Sequence, residues 1–151
     1  YLSRIKGPNG KRALTLIHRE HATTTTARLP LLGLIAAGEP IEALENPEMV
    51  DVPVSLLHPD HYVLQVKGDS MIDEQIHDKD YIVARKTNTA RSGQIVVALI
   101  NGEATLKYYV QGPGGVELHP RNPDFPIIKV DPKDDFHING VLLYSFRNYL
   151  N

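Results

Sequence analysis

The sequence predicts a mainly β protein built around one compact domain. Its 151 residues include 11 glycines and 11 prolines, which divide the chain into short runs bounded by turn signals. Several runs are rich in valine, isoleucine and tyrosine, which favour strands. Beyond residue 29, no long segment repeats its apolar residues with the 3.6-residue period of a helix. With 42% hydrophobic residues, the chain can bury a core of its own.

Residues 1–18 are predicted to form a β-hairpin, because the turn sequence Gly7-Pro8-Asn9-Gly10 separates two β-prone runs. A two-stranded hairpin alone is marginal in water, so we expect it to pack against chain upstream of residue 1. Its polar tip could lie along a phosphate backbone or be an ordinary solvated turn. The tip residues are Lys6, Asn9, Lys11 and Arg12.

Residues 19–28 show no apolar periodicity and are predicted to form a linker, with an extended strand through the threonine run as the alternative. Residues 29–151 are predicted to form the β domain. The Asn101-Gly102 pair between two β-rich runs is the strongest short hairpin signal, and residues 111–115 predict another turn. The predicted strands are 62–66, 80–85, 94–100, 103–110, 116–119 and 136–146.

The net charge of −2 conceals an uneven distribution along the chain. Residues 1–28 carry six basic residues and one acid, a net of +5, whereas residues 29–151 carry ten basic and seventeen acidic residues, a net of −7. A basic arm on an acidic body is compatible with nucleic-acid binding by the arm alone. The absence of cysteine excludes disulfides, thiolate zinc sites and a cysteine nucleophile. The sequence shows neither a bilayer-spanning run nor a secretory leader, so we expect a cytoplasmic protein.

Three short segments carry residues suited to chemistry. In Gly68-Asp69-Ser70-Met71, a tight turn after a strand could expose the serine hydroxyl and aim backbone amides at an oxyanion, although most such serines only form turns. Lys107 lies in the middle of a predicted strand, where desolvation would lower its pKa and yield a neutral general base. The alternative is a surface lysine whose stem alone is buried.

The third segment, residues 34–40, is rich in small residues and flanked by proline, so it could lie extended in a narrow cleft. Gly38 has no Cβ to obstruct an attacking nucleophile. The alternative is an ordinary Ala-Gly turn. Each of the three segments alone has a structural explanation, so their combination matters more than any one of them.

In order and spacing, these segments resemble the LexA repressor family of self-cleaving serine peptidases, which includes phage repressors and UmuD-type polymerase accessory proteins. The resemblance extends from Leu29 to about Asn148 and implies a LexA/signal-peptidase-like β domain. It also implies that residues 1–18 are the remnant wing hairpin of a winged-helix DNA-binding domain. The motifs that carry it are LPLLGLIAAGEP (29–40), VKGDSM (66–71), DKD (78–80), GQIVVA (93–98) and ATLK (104–107).

The resemblance implies a role for each matching residue. Ser70 corresponds to the nucleophile and Lys107 to the general base. Ala37–Gly38 corresponds to the scissile bond. Asp69 departs from the closest repressor pattern, which has methionine there, although the UmuD branch and several phage repressors have aspartate. The remaining assignments are the backbone amides of Asp69 and Ser70 as oxyanion hole, Ile35 and Ala36 seated upstream of the bond in the cleft, and residues 138–148 as the dimerising strand.

The implied function is a bacterial repressor of the SOS response to DNA damage. It would bind operator DNA as a homodimer and cleave itself when stimulated by a RecA filament on single-stranded DNA. A UmuD-type accessory protein or a phage repressor with the same domain is the alternative, as is a non-enzymatic dimerisation domain. The wing-like arm disfavours the UmuD type, and the presence of both Ser70 and Lys107 disfavours the non-enzymatic type. A trans-acting signal peptidase would need a membrane anchor.

No metal or other cofactor is expected. The pairs His18/His21 and His58/His61 do not belong to a helical HExxH pattern and are interpreted as surface histidines. An acidic cluster lacks the spacing and glycine of an EF-hand, so it is interpreted as a solvated face in which Asp80 positions a turn. The cluster consists of Asp73, Glu74, Asp78 and Asp80.

Overall fold

The computed structural model describes residues 25–32 and 46–149, and it is mainly β. Two 3₁₀ turns, Val54–Leu56 and Ile72–Glu74, interrupt the strands. The strands are β1 (Thr26–Pro30), β2 (Met49–Pro53), β3 (His61–Gln65), β4 (Tyr81–Arg85), β5 (Ile95–Ile100), β6 (Glu103–Gly112), β7 (Gly115–His119), β8 (Ile128–Lys129) and β9 (Phe136–Phe146).

The strands form two antiparallel sheets. The small sheet pairs β1 with β2, and the large sheet has the order β3-β4-β9-β5-β6-β7-β8. An isolated parallel bridge between Leu31 and Val63 connects the end of β1 to the edge strand β3. The amide of Leu32 donates to the carbonyl of Val63 over 2.9 Å, so the chain leaves β1 alongside β3 and in the same direction.

Most strand predictions agree with the structure to within two residues at each end. The Asn101-Gly102 hairpin is confirmed: β5 and β6 pair up to Ile100 and Glu103, and both turn residues have positive φ, 51° and 86°. The strands β2 and β8 were not predicted. β1 begins at Thr26, so residues 26–28 of the predicted linker belong to a strand, which includes only the last residue of the threonine run. The predicted hairpin 1–18 lies outside the described residues.

The core follows from the alternation of side chains along the strands. On β5, Val96 and Ala98 pack into one buried cluster with Leu118, whereas Val97 packs into another with Leu64. A third cluster holds the small sheet against the large one through Leu29, Val52, Val63 and Val83. The large sheet therefore buries apolar side chains on both faces.

The long strand β9 joins the two halves of the large sheet. Its first half pairs with β5 and its second half with β4, with a register irregularity in each pairing. At the crossover, the hydroxyl of Tyr62 donates to the carbonyl of Asn139 over 2.9 Å. A Cβ on Gly140 would lie 2.5 Å from that hydroxyl oxygen, so a side chain at this position would force neighbouring atoms to shift. The crossover keeps β3 and β6 in one sheet, which is what brings the predicted serine and lysine together.

Candidate active site

Ser70 lies on the loop that follows β3, and this loop is fixed at its start by an acidic side chain. Gly68 adopts φ 88°, which favours glycine, and its amide donates to Oδ1 of Asp78 over 2.7 Å. The amide of Asp78 donates in turn to Oδ1 of Asp69 over 3.3 Å. The serine loop comprises residues 66–80, and the serine turn is its segment 68–71. These reciprocal bonds tie the serine turn to the end of the same loop, just before β4.

An ion pair between a buried carboxylate and a partly exposed arginine fixes the far end of the same loop. Asp80 is 2% exposed, and its carboxylate accepts hydrogen bonds from Nε of Arg147 (2.6 Å) and from the amide of His77 (2.8 Å). The hydrogen bond from Arg147 is the main reason that the pKa of Asp80 lies below its ordinary value. The structure thus agrees with the interpretation that Asp80 positions a turn. Among the described residues, no group of three or more His, Asp or Glu side chains could hold a metal ion.

Lys107 reaches Ser70 from β6. Its Nζ lies 2.9 Å from Oγ of Ser70 and donates to Oγ1 of Thr105 over 2.6 Å. The residue is only 7% exposed, which excludes the surface-lysine alternative. Burial lowers the pKa of Lys107 from 10.5 to about 8. The lysine is therefore buried, partly neutral near physiological pH and within hydrogen-bonding distance of a serine.

The hydroxyl of Thr105 is a part of the site to which no role was predicted. Because residues two apart on a strand share a face, Thr105 lies beside Lys107 and can fix the position of its amine. The sequence contained this signal in the alternation of β6, but a threonine in a strand is too common to stand out.

A second unpredicted support comes from the loop after β7. The amide of Arg121 donates to the carbonyl of Ser70 (2.7 Å), and the carbonyl of Arg121 accepts from the amide of Asp73 (2.8 Å). The side-chain amide of Asn122 donates to the carbonyl of Asp69 over 2.9 Å. The guanidinium of Arg121 also stacks on the ring of Tyr108 at 3.6 Å. In the sequence, this stretch showed only the prolines of a loop.

Ser70 and Lys107 open into an elongated cleft that is mostly apolar at its serine end. A cavity of about 420 Å³ borders both residues, and a neighbouring cavity begins at Leu31 and Leu32. The two cavities share residues 64–67, so the cleft runs along β3 from the end of β1 to the serine. The apolar residues that line the serine end include Leu64, Met71, Ile82, Val97 and Leu106. The arrangement can bind an extended apolar peptide and present it to a serine nucleophile.

Some predicted site residues lie outside the described part of the chain. These are the scissile pair Ala37 and Gly38, the cleft residues Ile35 and Ala36, and the tip residues Lys6, Asn9, Lys11 and Arg12. Of the predicted oxyanion-hole amides, those of Asp69 and Ser70, neither donates a hydrogen bond to another described residue. Over residues 25–32 and 46–149, the structure contains no helix long and apolar enough to cross a membrane.

Comparison with known proteins connects this geometry to a family. The Peptidase S24-like family matches residues 30–143. LexA repressors from Syntrophotalea carbinolica and Syntrophobacter fumaroxidans are 46% and 42% identical over 143 and 142 residues, 93% of this chain in both cases. The LexA repressor of Erythrobacter litoralis is 48% identical over 80% of the chain. The matches span 69%, 67% and 52% of these three relatives, respectively.

Proposed function

The chain belongs to the Peptidase S24-like family, and from this premise we propose that it is a LexA-type repressor that inactivates itself by cleaving its Ala37–Gly38 bond. The observation that carries the proposal is the contact of 2.9 Å between Ser70 Oγ and the Nζ of a buried lysine whose pKa is about 8. Serine alone is a weak nucleophile, and a neutral amine at this distance is a suitable base for it.

The proposed reaction is peptide hydrolysis through an acyl-enzyme. Neutral Lys107 takes the hydroxyl proton of Ser70 while Oγ attacks the carbonyl carbon of Ala37. When the C–N bond breaks, the same proton passes from Lys107 to the departing amine of Gly38. Water then hydrolyses the ester, restoring Ser70 and leaving a carboxylate on Ala37. Because nucleophile and substrate share one chain, each molecule cuts itself once.

The low pKa of Lys107 makes this base usable near neutral pH. With a pKa of about 8, roughly one tenth of the amine is neutral at pH 7, against less than a thousandth for an ordinary lysine. The bond to Thr105 holds Nζ beside Ser70, which reduces the entropy lost in reaching the reactive geometry. We assign Thr105 a positioning role.

The course of the chain at β1 supports delivery of the cleavage segment to Ser70. The parallel bridge pairs Leu31 with Val63, and six residues lead from Leu31 to Ala37, as six lead from Val63 to Asp69. If the pairing with β3 continued in register, the scissile carbonyl would arrive beside the serine turn. The amides of Asp69 and Ser70 would then stabilise the oxyanion.

The proposed regulation follows from what cleavage would separate. The basic segment 1–28, with net charge +5, would contact operator DNA through Lys6, Asn9, Lys11 and Arg12. In the second half of β9, Leu143 and Tyr144 are 40% and 42% exposed, and this part of the strand would pair with a second copy of the chain. Cutting between these parts would remove the avidity of a dimer for two half-sites. A RecA filament that favours the docked segment would accelerate the cut.

The test is to incubate the protein at pH 9 and measure fragment masses. We expect a single break that yields residues 1–37 and 38–151. Ser70→Ala should remain intact, whereas Ser55→Ala, which removes an exposed hydroxyl from a 3₁₀ turn, should cleave like the wild type. Cleavage in Ser70→Ala, or an intact wild-type chain, would refute the proposal.

A further inference from the structure

We infer that Asn122 is a positioning residue that aims the backbone amide of Ser70 at the scissile carbonyl oxygen, an inference that rests on the proposed function. Asn122 lies in the loop after β7, far from Ser70 in sequence and outside every motif that the sequence singled out. Its side chain nevertheless joins the serine turn directly, through Nδ2 and the carbonyl of Asp69 at 2.9 Å.

Both ends of the Asn122 side chain have a partner. Oδ1 accepts the amide of Asp124 over 3.0 Å, which closes an Asx turn within the loop. This bond determines the orientation of the side-chain amide, because the end that accepts from Asp124 must be the oxygen. The nitrogen is therefore the end that faces the carbonyl of Asp69. Aspartate is nearly the same size, but it would present a second acceptor to this carbonyl.

The carbonyl of Asp69 and the amide of Ser70 belong to the same peptide group. In a trans peptide this group is planar, and its C=O and N–H point in opposite directions. A donor that holds the carbonyl from one side consequently fixes the direction of the amide on the other. The amide of Ser70 is one of the two donors that would stabilise the oxyanion, so the bond from Asn122 acts on the transition state through one peptide group.

Two other backbone amides hold carbonyls of the same turn. The amide of Ile72 also donates to the carbonyl of Asp69, but over 3.2 Å and from within the same turn. That bond preserves the shape of the turn without anchoring it to the rest of the domain. The amide of Arg121 holds the next carbonyl, that of Ser70, at 2.7 Å. Asn122 and Arg121 thus hold two successive peptide groups from one external loop.

The experiment compares Asn122→Ser with the wild type in the full chain. Serine keeps an oxygen for the Asx turn but is too short to donate to Asp69. We expect the maximal rate of self-cleavage at high pH to fall about tenfold or more, since loss of a whole oxyanion donor costs about 10²–10³. The pH midpoint of cleavage should stay near that of the wild type, because the contact of Lys107 with Ser70 is not altered.

A second readout does not depend on the cleavage segment. A phosphonofluoridate reacts with serine nucleophiles by forming an O–P bond and releasing fluoride, and its phosphonyl oxygen needs the same donors. Modification of Ser70, followed by mass spectrometry, should slow by a similar factor in Asn122→Ser and in Asn122→Asp. Asn88→Ser makes the same change at an exposed asparagine and should react like the wild type.

The two proposals can fail separately. Wild-type rates of Ser70 modification in both Asn122 variants would overturn the positioning role, whether or not the chain cleaves itself. A shifted pH midpoint in Asn122→Ser would overturn it in favour of a purely structural role. Failure of the wild type to self-cleave, with phosphonylation still slowed in the variants, would refute the proposed function alone.

Discussion

Replacing Lys107 by methionine should stabilise the protein at neutral pH while abolishing self-cleavage. Methionine matches the length of the lysine stem and carries no ionisable group. At pH 7 most of the wild-type amine is an ammonium, on a residue that is only 7% exposed, and burial disfavours its charge. The substitution removes this destabilising ionisation from the folded state.

The magnitude follows from proton linkage. The pKa of Lys107 is about 8 in the folded chain, against 10.5 for a free lysine. Between these two values the unfolded chain binds more protons than the folded one, so wild-type stability rises with pH. At about 1.4 kcal/mol for each tenfold change in proton affinity, the wild type should gain about 2.5 kcal/mol relative to the methionine variant between pH 7 and pH 10.

The assay is urea denaturation at pH 7 and at pH 10, with both chains carrying Ser70→Ala so that neither can cleave. The difference in unfolding free energy between Lys107 and Lys107→Met isolates the lysine, since every other titrating group is common to the two chains. The hydrogen bond between Lys107 and Thr105 offsets part of the gain at either pH. Losing this hydrogen bond changes the difference in unfolding free energy by a similar amount at both pH values. The change of that difference with pH therefore reports the ionisation of Lys107.

The decisive observation is how the difference in unfolding free energy changes between pH 7 and pH 10. A stability difference that is the same at pH 7 and pH 10 would mean that Lys107 has an ordinary pKa in the folded chain. In that case burial would not explain how the amine acts as a base. A difference that changes in the opposite direction would mean that an unseen acidic group stabilises the ammonium.

Three further predictions concern rate and stability. The self-cleavage rate should rise about tenfold for each pH unit below 8 and level off above it, because the neutral fraction of Lys107 does so; a flat profile from pH 7 to pH 10 would contradict the base assignment. Asp80→Asn should lower the free energy of unfolding at pH 7 by about 2 kcal/mol, since it removes the charge of a buried carboxylate that accepts two hydrogen bonds from Arg147. Because these bonds lower the pKa of Asp80, urea titrations of variant and wild type should converge as the pH falls below about 3.9. Gly140→Ala should cost about 2 kcal/mol in the same assay, and less in a chain that also carries Tyr62→Phe, because the new Cβ would crowd the tyrosine hydroxyl.

The sequence predicted the parts of the fold that depend on local chemistry. The Asn101-Gly102 turn needs positive φ at two successive residues, which few other pairs adopt, so its hairpin was predicted from those two residues alone. The strand β2 was missed because only Val52 among its five residues is fully buried, and a single inward side chain gives no alternation to detect. The strand β8 has two residues and no pattern of its own.

The contact between Ser70 and Lys107 could not be derived from their neighbours in the sequence. They are 37 residues apart, and their proximity depends on how β9 orders the strands between β3 and β6. The resemblance predicted the pair, and the structure supplied the distance. Neither the sequence patterns nor the resemblance predicted the contact of Asn122. Its role depends on the direction of the Asp69 carbonyl, and a pattern of side chains contains no information on that direction.

The low pKa of Lys107 also depends on where the nearby carboxylates are directed. A carboxylate beside its Nζ would favour the ammonium and raise the pKa. The serine loop carries several acids, yet Asp80 pairs with Arg147, and Asp78 accepts the amide of Gly68. Glu74 accepts the hydroxyl of Tyr108 over 3.0 Å. Burial is accordingly the cause that sets the pKa of Lys107. Of the four acids interpreted as a solvated face, Asp73 and Asp78 are exposed, while Asp78 and Asp80 also fix the loop that carries Ser70. The domain therefore stabilises the serine loop with carboxylates that bond to groups other than the ammonium of Lys107, and the folding free energy lost by burying that ammonium is the same quantity that lowers its pKa.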